Sequence, residues 1–274
     1  MKKIFLSLIL ILTSCASTTE EGAIGVNRKQ FLTGVSPEQV NEQSLQAYTE
    51  VKTEASKKNT LDTNPEHVRR VKAVAARLIP QTAIFRKEAP AWAWETHVIT
   101  SDEVNAYCMP GGKIVFYSGI IEKMKMTDGE IAAVMGHEIA HALREHGRER
   151  MARAQAQQLI IGGGAALAVA SGKVKDENLR YVSQGAILFT TVALTLPHSR
   201  DQESESDDIG VELMARAGYD PQEAVTLWTK MAANSGGKSP LQFLSTHPAD
   251  GKRIADIQAL LPKVNPLYLQ ATKK

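Results

Sequence analysis

The chain has 274 residues, of which 43% are hydrophobic and 23% are charged, an ordinary globular composition that suffices for one large domain or two small ones. Its 32 basic and 30 acidic residues leave a net charge of +2. This near-neutral balance gives no electrostatic reason for nucleic-acid binding, and no nucleic-acid partner is expected. Aromatic residues make up only 5%, and alanine-rich stretches in the middle of the chain predict that helix outweighs strand.

The N-terminus has the three parts of a bacterial export signal. Two lysines precede an apolar run at positions 4–12, which is too short to span a bilayer. The run leads to Leu-Thr-Ser and then Cys15, an order that resembles a lipobox, in which cleavage precedes a cysteine that receives lipid. We expect residues 1–14 to be removed and Cys15 to anchor the chain to a membrane; the alternative is an ordinary signal peptide with a chance cysteine. By resemblance to enterobacterial sorting rules, Ala16 favours an outer-membrane lipoprotein that faces the periplasm of the cell envelope.

Residues 15–60 are rich in polar side chains. They predict a tether after the lipidated cysteine and then a helix at 37–58. Asn64 and Pro65 open a second helix, whose apolar residues recur at helical spacing until Pro80 ends it.

Three short strands are predicted next, at 92–100, 103–109 and 113–117, with Pro-Gly-Gly at 110–112 as the turn of a hairpin. Cys108 lies in the second strand, where a small buried hydrophobe is the expected role and a catalytic thiol the weaker alternative. If the other cysteine carries lipid, Cys108 has no intramolecular partner. The domain must then depend on its core and on metal rather than on a disulfide.

A capping box of Thr127 and Glu130 predicts the start of a long helix that continues to about residue 159. Two apolar stretches follow, at 159–170 and 186–196, each too short to span a bilayer alone. Core helices are one interpretation of these stretches. A hydrophobic flap over the active site or against the membrane is the other.

The long helix carries a metal-binding pattern. His137 and His141 are four residues apart, which places both imidazoles on one helix face, one turn apart, where they can share a tetrahedral zinc ion. Glu138 is adjacent but turned aside from the ligands, so it can take a proton from a zinc-activated water that attacks a peptide carbonyl. The same carboxylic acid can then protonate the leaving amine.

The pattern still lacks a third protein ligand. The metzincin arrangement requires a histidine ten residues after His137, but that position holds Gly147. His146 is expected on the opposite side of the helix, in solvent. A charged surface helix without metal is the alternative, because charged residues are frequent at 144–150.

An acidic segment within a helix predicted at 199–217 is a better source of the third ligand. Glu203 could bind zinc while Asp207 orients a ligand imidazole, yet spacing alone does not choose among Glu203, Glu205 and Asp207. A solvated acidic helix face is the alternative. Two more helices are predicted, at 221–233 and 249–261.

Together these motifs resemble peptidase family M48, which includes the HtpX, Oma-type and CAAX prenyl proteases. The similarity covers about residues 62–262 and rests on HEIAH at 137–141, SRDQESESD at 199–207 and Ser-Thr-His-Pro at 245–248. It implies a mainly α fold with a small β-sheet (α+β), as a zincin-like, gluzincin metallopeptidase domain at 61–274 with one Zn²⁺ per chain. The lipobox adds similarity to the LoiP/YcaL-like periplasmic lipoprotein metalloproteases.

The resemblance also implies roles for individual residues. It places the third zinc ligand on Glu203 and a supporting carboxylate on Asp207. It suggests that His247 stabilises the oxyanion or occupies the open zinc position in a latent form, and that Arg253 helps to hold the site.

By the same resemblance, Asn105 and Ala106 lie on an edge strand whose unpaired amides can bind an extended peptide. The leading hypothesis is a membrane-anchored zinc endopeptidase that cleaves misfolded or membrane proteins of the envelope, with an envelope protease or assembly machinery as a partner. The alternative is a latent or structural zinc lipoprotein that acts as a chaperone or assembly factor. A non-metal interaction lipoprotein would bind no stoichiometric zinc.

Overall fold

The computed structural model describes residues 15–170, 197–234, 242–248 and 251–273, with the backbone alone for Cys15 and for residues 160–170. The expected signal at 1–14 and the apolar run at 186–196 lie outside the described residues. Within the described ranges, no helix is both long and apolar enough to cross a membrane.

Helices dominate the structure and a small three-stranded sheet accompanies them, which confirms the predicted mainly α fold. The strands are β1 (Cys15–Ala16), β2 (Gln30–Phe31), β3 (Glu95–Ile99), β4 (Ala106–Met109) and β5 (Lys113–Tyr117). The helices are α1 (Pro37–Lys57), α2 (Pro65–Leu78), α3 (Ser118–Lys123), α4 (Asp128–Leu143), α5 (His146–Ala170), α6 (Arg200–Arg216), α7 (Gln222–Asn234), α8 (Gln242–Thr246) and α9 (Gly251–Ala271).

Side-chain caps set where the main helices begin. Thr127 accepts from the Glu130 amide at 3.1 Å and the Glu130 carboxylate accepts from the Thr127 amide at 3.0 Å, which confirms the predicted capping box of α4. Ser199 and Gln202 form a second capping box at the start of α6. Asn64 caps α2 as predicted, because its side chain accepts two of the first free amides.

The small sheet has the strand order β3-β5-β4, with β3 parallel and β4 antiparallel to β5. The predicted hairpin is confirmed: the Gly112 amide donates to the Met109 carbonyl at 3.1 Å, and Gly111 and Gly112 both have positive φ. Cys108 is buried and burial raises the pKa of its thiol, in agreement with a small buried hydrophobe. Because β4 stands at one end of the strand order β3-β5-β4, it is an edge strand of this sheet.

The predicted long helix is in fact two helices. α4 ends at Leu143, and Glu145 has a φ of 49°, so the chain turns before α5 begins at His146. The fully buried side chain of Arg144 stabilises this break, because it pairs with Glu205 at 3.1 Å. The apolar run that begins at Leu159 continues α5, and Leu159 itself is 76% exposed.

The last helix is longer than predicted. α9 continues beyond the expected segment at 249–261, through Pro262 and Pro266, to Ala271. Both prolines lie on the exposed side, where water can pair with the carbonyls that lose a helical donor. Val264 is fully buried between them, so packing of this side chain on the core stabilises the helical continuation.

The segment at 16–36, which composition alone marks as a tether, packs along the domain in the structure. The Glu212 carboxylate accepts from the amides of Ala23 and Ile24 at 2.8–3.2 Å. Gln30 is fully buried and donates to the Arg144 carbonyl. Many polar side chains of this segment therefore pair with protein groups rather than with water.

α4 crosses the core with residues 129–143 all buried, and it approaches α6 very closely. A Cβ on Gly136 would lie 2.7 Å from the Gly210 carbonyl oxygen, and a Cβ on Gly210 would lie 2.7 Å from the His137 amide nitrogen. Only glycine at both positions allows this backbone contact. The contact brings His137 within reach of the carboxylates on α6.

Candidate metal centre

Four side chains from two helices, α4 and α6, and from the loop after α8 converge on a single point. The Nε2 atoms of His137 and His141 are 3.1 Å apart, and His247 Nδ1 lies 3.2 Å from His137 Nε2. Glu203 Oε1 lies 3.0 Å from His247 Nδ1 and 3.4 Å from His141 Nε2. All four side chains are buried, and their donor atoms lie within 4.8 Å of one another.

These spacings fit a zinc ion. Zinc–ligand distances of about 2.0–2.1 Å in a tetrahedron separate neighbouring ligand atoms by about 3.4 Å. Two imidazoles and a carboxylate with a further imidazole are also the donor types that zinc prefers. The predicted trio of His137, His141 and Glu203 therefore lies together, with His247 as a fourth donor.

His137 is held by a carboxylate. Its Nδ1 lies 2.9 Å from Asp207 Oδ1, so Nδ1–H donates to the carboxylate and the Nε2 lone pair faces the centre. Arg253 in turn donates to both oxygens of Asp207, from Nε and Nη2 at 2.8 Å each, and its Nη1 lies 2.6 Å from Glu203 Oε2. Asp207 and Arg253 thus lie next to the donor cluster, in the supporting positions that the family resemblance implied.

His141 is held differently, through a residue that was predicted to lie in solvent. His146 is 0% exposed, and its Nδ1 lies 2.8 Å from His141 Nδ1. The prediction of a solvated His146 is wrong because the break after α4 turns this side chain back towards His141. His146 Nε2 lies 3.0 Å from Glu205 Oε2, so Glu205 pairs behind the site while Glu203 lies in it.

Protonation in the metal-free protein follows from this burial and charge. Burial disfavours the charged form of His137, but the carboxylates of Glu203 and Asp207 outweigh it and raise the pKa of His137 to about 9. Burial would raise the pKa of Glu203, yet His247 and His137 hold it well below its usual range. A positive charge at this point is therefore favoured, and a metal ion would take the place of the proton.

Glu138 lies beside the four donors. Its Oε1 is 3.4 Å from His247 Nε2 and accepts no hydrogen bond from the described residues. Burial raises the pKa of Glu138, which makes its carboxylate a better proton acceptor.

A cleft leads from the edge of the sheet to these residues. Asn105 and Ala106 line it at the start of β4, and Glu138 and His141 line it from α4. The Asn105 side chain donates to Glu103 Oε1 at 2.9 Å, and the backbone carbonyl of Asn105 accepts from the Tyr117 amide at 3.1 Å. The predicted edge strand and the donor cluster therefore border one cleft.

Two further cleft residues were not singled out from the sequence. His198 lies with its ring centroid 3.9 Å from that of His141 and 4.9 Å from that of His247. Arg150 lines the same cleft from α5, and burial lowers its pKa to about 10. The position of His198 directly before the cap of α6 is the one local signal that could have indicated it.

The sequence was compared with known families and curated proteins. A model described as Peptidase family M48 matches residues 65–261. The mitochondrial metalloendopeptidase OMA1 of Schizosaccharomyces pombe is 40% identical over 172 residues, which are 62% of this chain and 47% of that protein.

Two bacterial proteins are also similar. The β-barrel assembly-enhancing protease of Escherichia coli is 29% identical over 185 residues, 64% of this chain and 36% of that protein. The metalloprotease YcaL of the same organism is 30% identical over 164 residues, 59% of each chain. The match to the OMA1 proteins of the two yeasts spans about half of their length.

Proposed function

Because the chain belongs to peptidase family M48, whose members are zinc-dependent metallopeptidases, we propose that this protein is a membrane-anchored zinc endopeptidase. His137, His141 and Glu203 bind the single zinc ion. The observation that carries the proposal is the convergence of these three donors beside Glu138, whose Oε1 accepts no hydrogen bond from the described residues.

The side chains around the site divide the work of peptide hydrolysis. Bound zinc supplies a Lewis acid that acidifies a water molecule and polarises the peptide carbonyl. Glu138 accepts the proton of the attacking water and returns it to the leaving amine. Asp207 keeps the Nε2 lone pair of His137 directed at the centre.

An extended substrate adds a strand to the edge of the sheet. Among the strands of the described residues, β4 pairs with β5 alone, and Asn105 and Ala106 line the cleft that leads to Glu138. Backbone hydrogen bonds along β4 would hold a peptide irrespective of its side chains, which suits an endopeptidase that acts on misfolded proteins.

His247 has two possible states in this proposal. With Nδ1 3.0 Å from Glu203 Oε1, it completes the donor set as a closed, latent site. This position also favours the second candidate function, a zinc lipoprotein that acts as a chaperone or assembly factor without cleaving. If His247 latches the site, His247→Ala raises the rate of casein cleavage; an unchanged or lower rate contradicts the latch and favours oxyanion stabilisation.

Lipid on Cys15 is the proposed membrane anchor. The Cys15 backbone pairs with Phe31 in the β1–β2 ladder, so an acyl chain there would hold the body of the domain close to the membrane surface. The relative named for β-barrel assembly supports envelope proteins as substrates and assembly machinery as a partner. Cys15→Ser should move the protein from the membrane fraction to the soluble fraction, and mass spectrometry of the N-terminus should show the loss of lipid.

Glu138→Gln tests the activity itself. The variant should bind one zinc per chain, as measured by metal analysis, yet lose casein cleavage by a factor of about 10² or more. Glu42→Gln, an exposed residue on α1, is the matched control and should keep full activity. Persistent cleavage by purified Glu138→Gln would contradict the role of Glu138, and an absence of zinc in the parent protein would contradict the function.

A further inference from the structure

His141, His146 and Glu205 form one chain of hydrogen bonds. His141 Nδ1 lies 2.8 Å from His146 Nδ1, and His146 Nε2 lies 3.0 Å from Glu205 Oε2. All three side chains are buried. The series therefore runs from the metal centre to a carboxylate without solvent between its members.

The carboxylate at the end of the series is held in its charged form. Arg144 lies 3.1 Å from Glu205 Oε2 and Arg28 lies 2.5 Å from Glu205 Oε1. Two guanidinium groups against one carboxylate favour its ionised form. An ionised carboxylate has only acceptors, so His146 Nε2–H must donate to it.

The direction of donation between the two imidazoles follows. A neutral imidazole that donates from Nε2 is an acceptor at Nδ1, so His146 Nδ1 accepts from His141 Nδ1–H. His141 then presents an unprotonated Nε2 to the centre, 3.4 Å from Glu203 Oε1. Metal binding through Nε2 requires this arrangement, because a neutral His141 must then keep its one proton on Nδ1.

We propose that His146, backed by Glu205, is a positioning residue that holds His141 in the tautomer and orientation that bind the metal. This inference rests on the zinc function proposed above. His146 contacts neither the metal point nor the cleft, and it acts through His141 alone.

A second metal ion is the competing interpretation of this cluster. His141, His146 and His198 could also hold a metal. However, the 2.8 Å between the Nδ1 atoms of His141 and His146 is a hydrogen-bond length, shorter than the separation of about 3.4 Å between ligands of one tetrahedral zinc. His146 also already donates to Glu205. The hydrogen-bond interpretation accounts for both ring nitrogens of His146.

The test compares zinc affinity among variants of the full chain, by competition with a chromogenic chelator. His146→Leu removes the acceptor with little change of volume, and the zinc dissociation constant should rise about 10- to 100-fold. His146→Asn, whose Oδ1 takes about the place of Nδ1, should recover most of this loss. An unchanged zinc dissociation constant for His146→Leu overturns the proposal, as does failure of Asn to improve on Leu.

The matched control is another histidine that pairs with a carboxylate. His97 Nδ1 lies 2.6 Å from Asp62 Oδ2, and its ring centroid lies 6.3 Å from that of Tyr48 on α1. His97→Leu should leave the zinc dissociation constant unchanged. A rise equal to that of His146→Leu would show a general loss of stability and overturn the positioning role.

Glu205→Gln serves as the second variant in case His146→Leu does not fold. It should weaken zinc binding less than His146→Leu. In the His146→Asn background, where the side chain at 146 no longer donates to position 205, it should cause no further weakening. If the effects of the two substitutions on the zinc dissociation constant add fully, Glu205 does not act through His146 and the proposal is overturned. Metal analysis separates the remaining outcomes: no zinc in the parent overturns the proposed function and this inference together. Two zinc ions in the parent and one in His146→Leu overturn the relay alone.

Discussion

His137 and His141 lie one turn apart on the same helix, yet they are held in different ways. His137 Nδ1 donates directly to Asp207 at 2.9 Å, whereas His141 Nδ1 is linked to the carboxylate of Glu205 through His146. The Asp207 side is fastened by Arg253 from α9, and the Glu205 side by arginines that include Arg28 from the N-terminal segment. One direct carboxylate contact and one relayed contact can thus serve neighbouring ligands of the same site.

Removing the direct contact should have the largest effect. Asp207→Asn removes the charge that faces His137 and Arg253 in a buried place, so the metal-free protein should lose about 3 kcal/mol of unfolding free energy. Zinc affinity should fall about 10- to 100-fold. Urea unfolding and chelator competition measure the two quantities. Asp201→Asn, an exposed residue on the same helix, is the control, and equal effects from both variants would contradict the role of Asp207.

The two arginines offer a sharper comparison. Arg253 binds Asp207 with a planar fork that lysine cannot reproduce, so Arg253→Lys should weaken zinc binding about tenfold. The side chain of Arg28 is 26% exposed, and Arg144 still pairs with Glu205 when Arg28 is replaced. Arg28→Lys should therefore weaken zinc binding less than about threefold. A reversed order in the same competition assay would mean that the relayed side dominates.

Gly136→Ala should loosen both sides together. The added methyl would lie 2.7 Å from the Gly210 carbonyl oxygen, so α4 and α6 must separate, at a cost of about 1–3 kcal/mol in unfolding free energy. Zinc affinity should fall too, because His137 then moves away from Glu203. Gly251→Ala is the control, since a Cβ there meets nothing within 4 Å. Thermal unfolding of the two variants should differ clearly, and similar melting temperatures would count against the close contact.

Thr127→Ala should have the smallest effect and should not distinguish the two sides. Loss of the cap on α4 should lower the unfolding free energy by about 1 kcal/mol. The zinc dissociation constant should stay at the parent value, because both histidines lie well beyond the first turn. A marked loss of zinc binding would show that the start of α4 positions the site, contrary to this expectation.

Features that depend on neighbours in the chain were predictable. The capping box of Thr127 and Glu130, the Gly111–Gly112 turn and the pairing of His137 with His141 on one helix face each involve residues at most four positions apart. The helix and strand types followed from such patterns. The family resemblance, now supported by a match over 65–261, supplied the distant members of the site.

Features that depend on packing were not predictable. His146 looked solvated because a continuous helix would point it away, and nothing nearby in the sequence indicated that buried Arg144 would break that helix. The helix predicted at 249–261 continues past Pro262 and Pro266 because Val264 packs in the core. The polar composition of the N-terminal segment gave no sign that its backbone contacts Glu212 or that the side chain of Gln30 is buried.

The sequence by itself determined which groups could bind zinc and where α4 begins, since caps and helical spacing act over a few residues. The tertiary structure decided how those groups are oriented. The partner of His146 lies 59 residues away and the contact of Arg28 with Glu205 spans 177 residues. Such contacts form only when the close approach of Gly136 and Gly210 brings two helices together, and no local pattern encodes the direction in which a buried imidazole donates its proton.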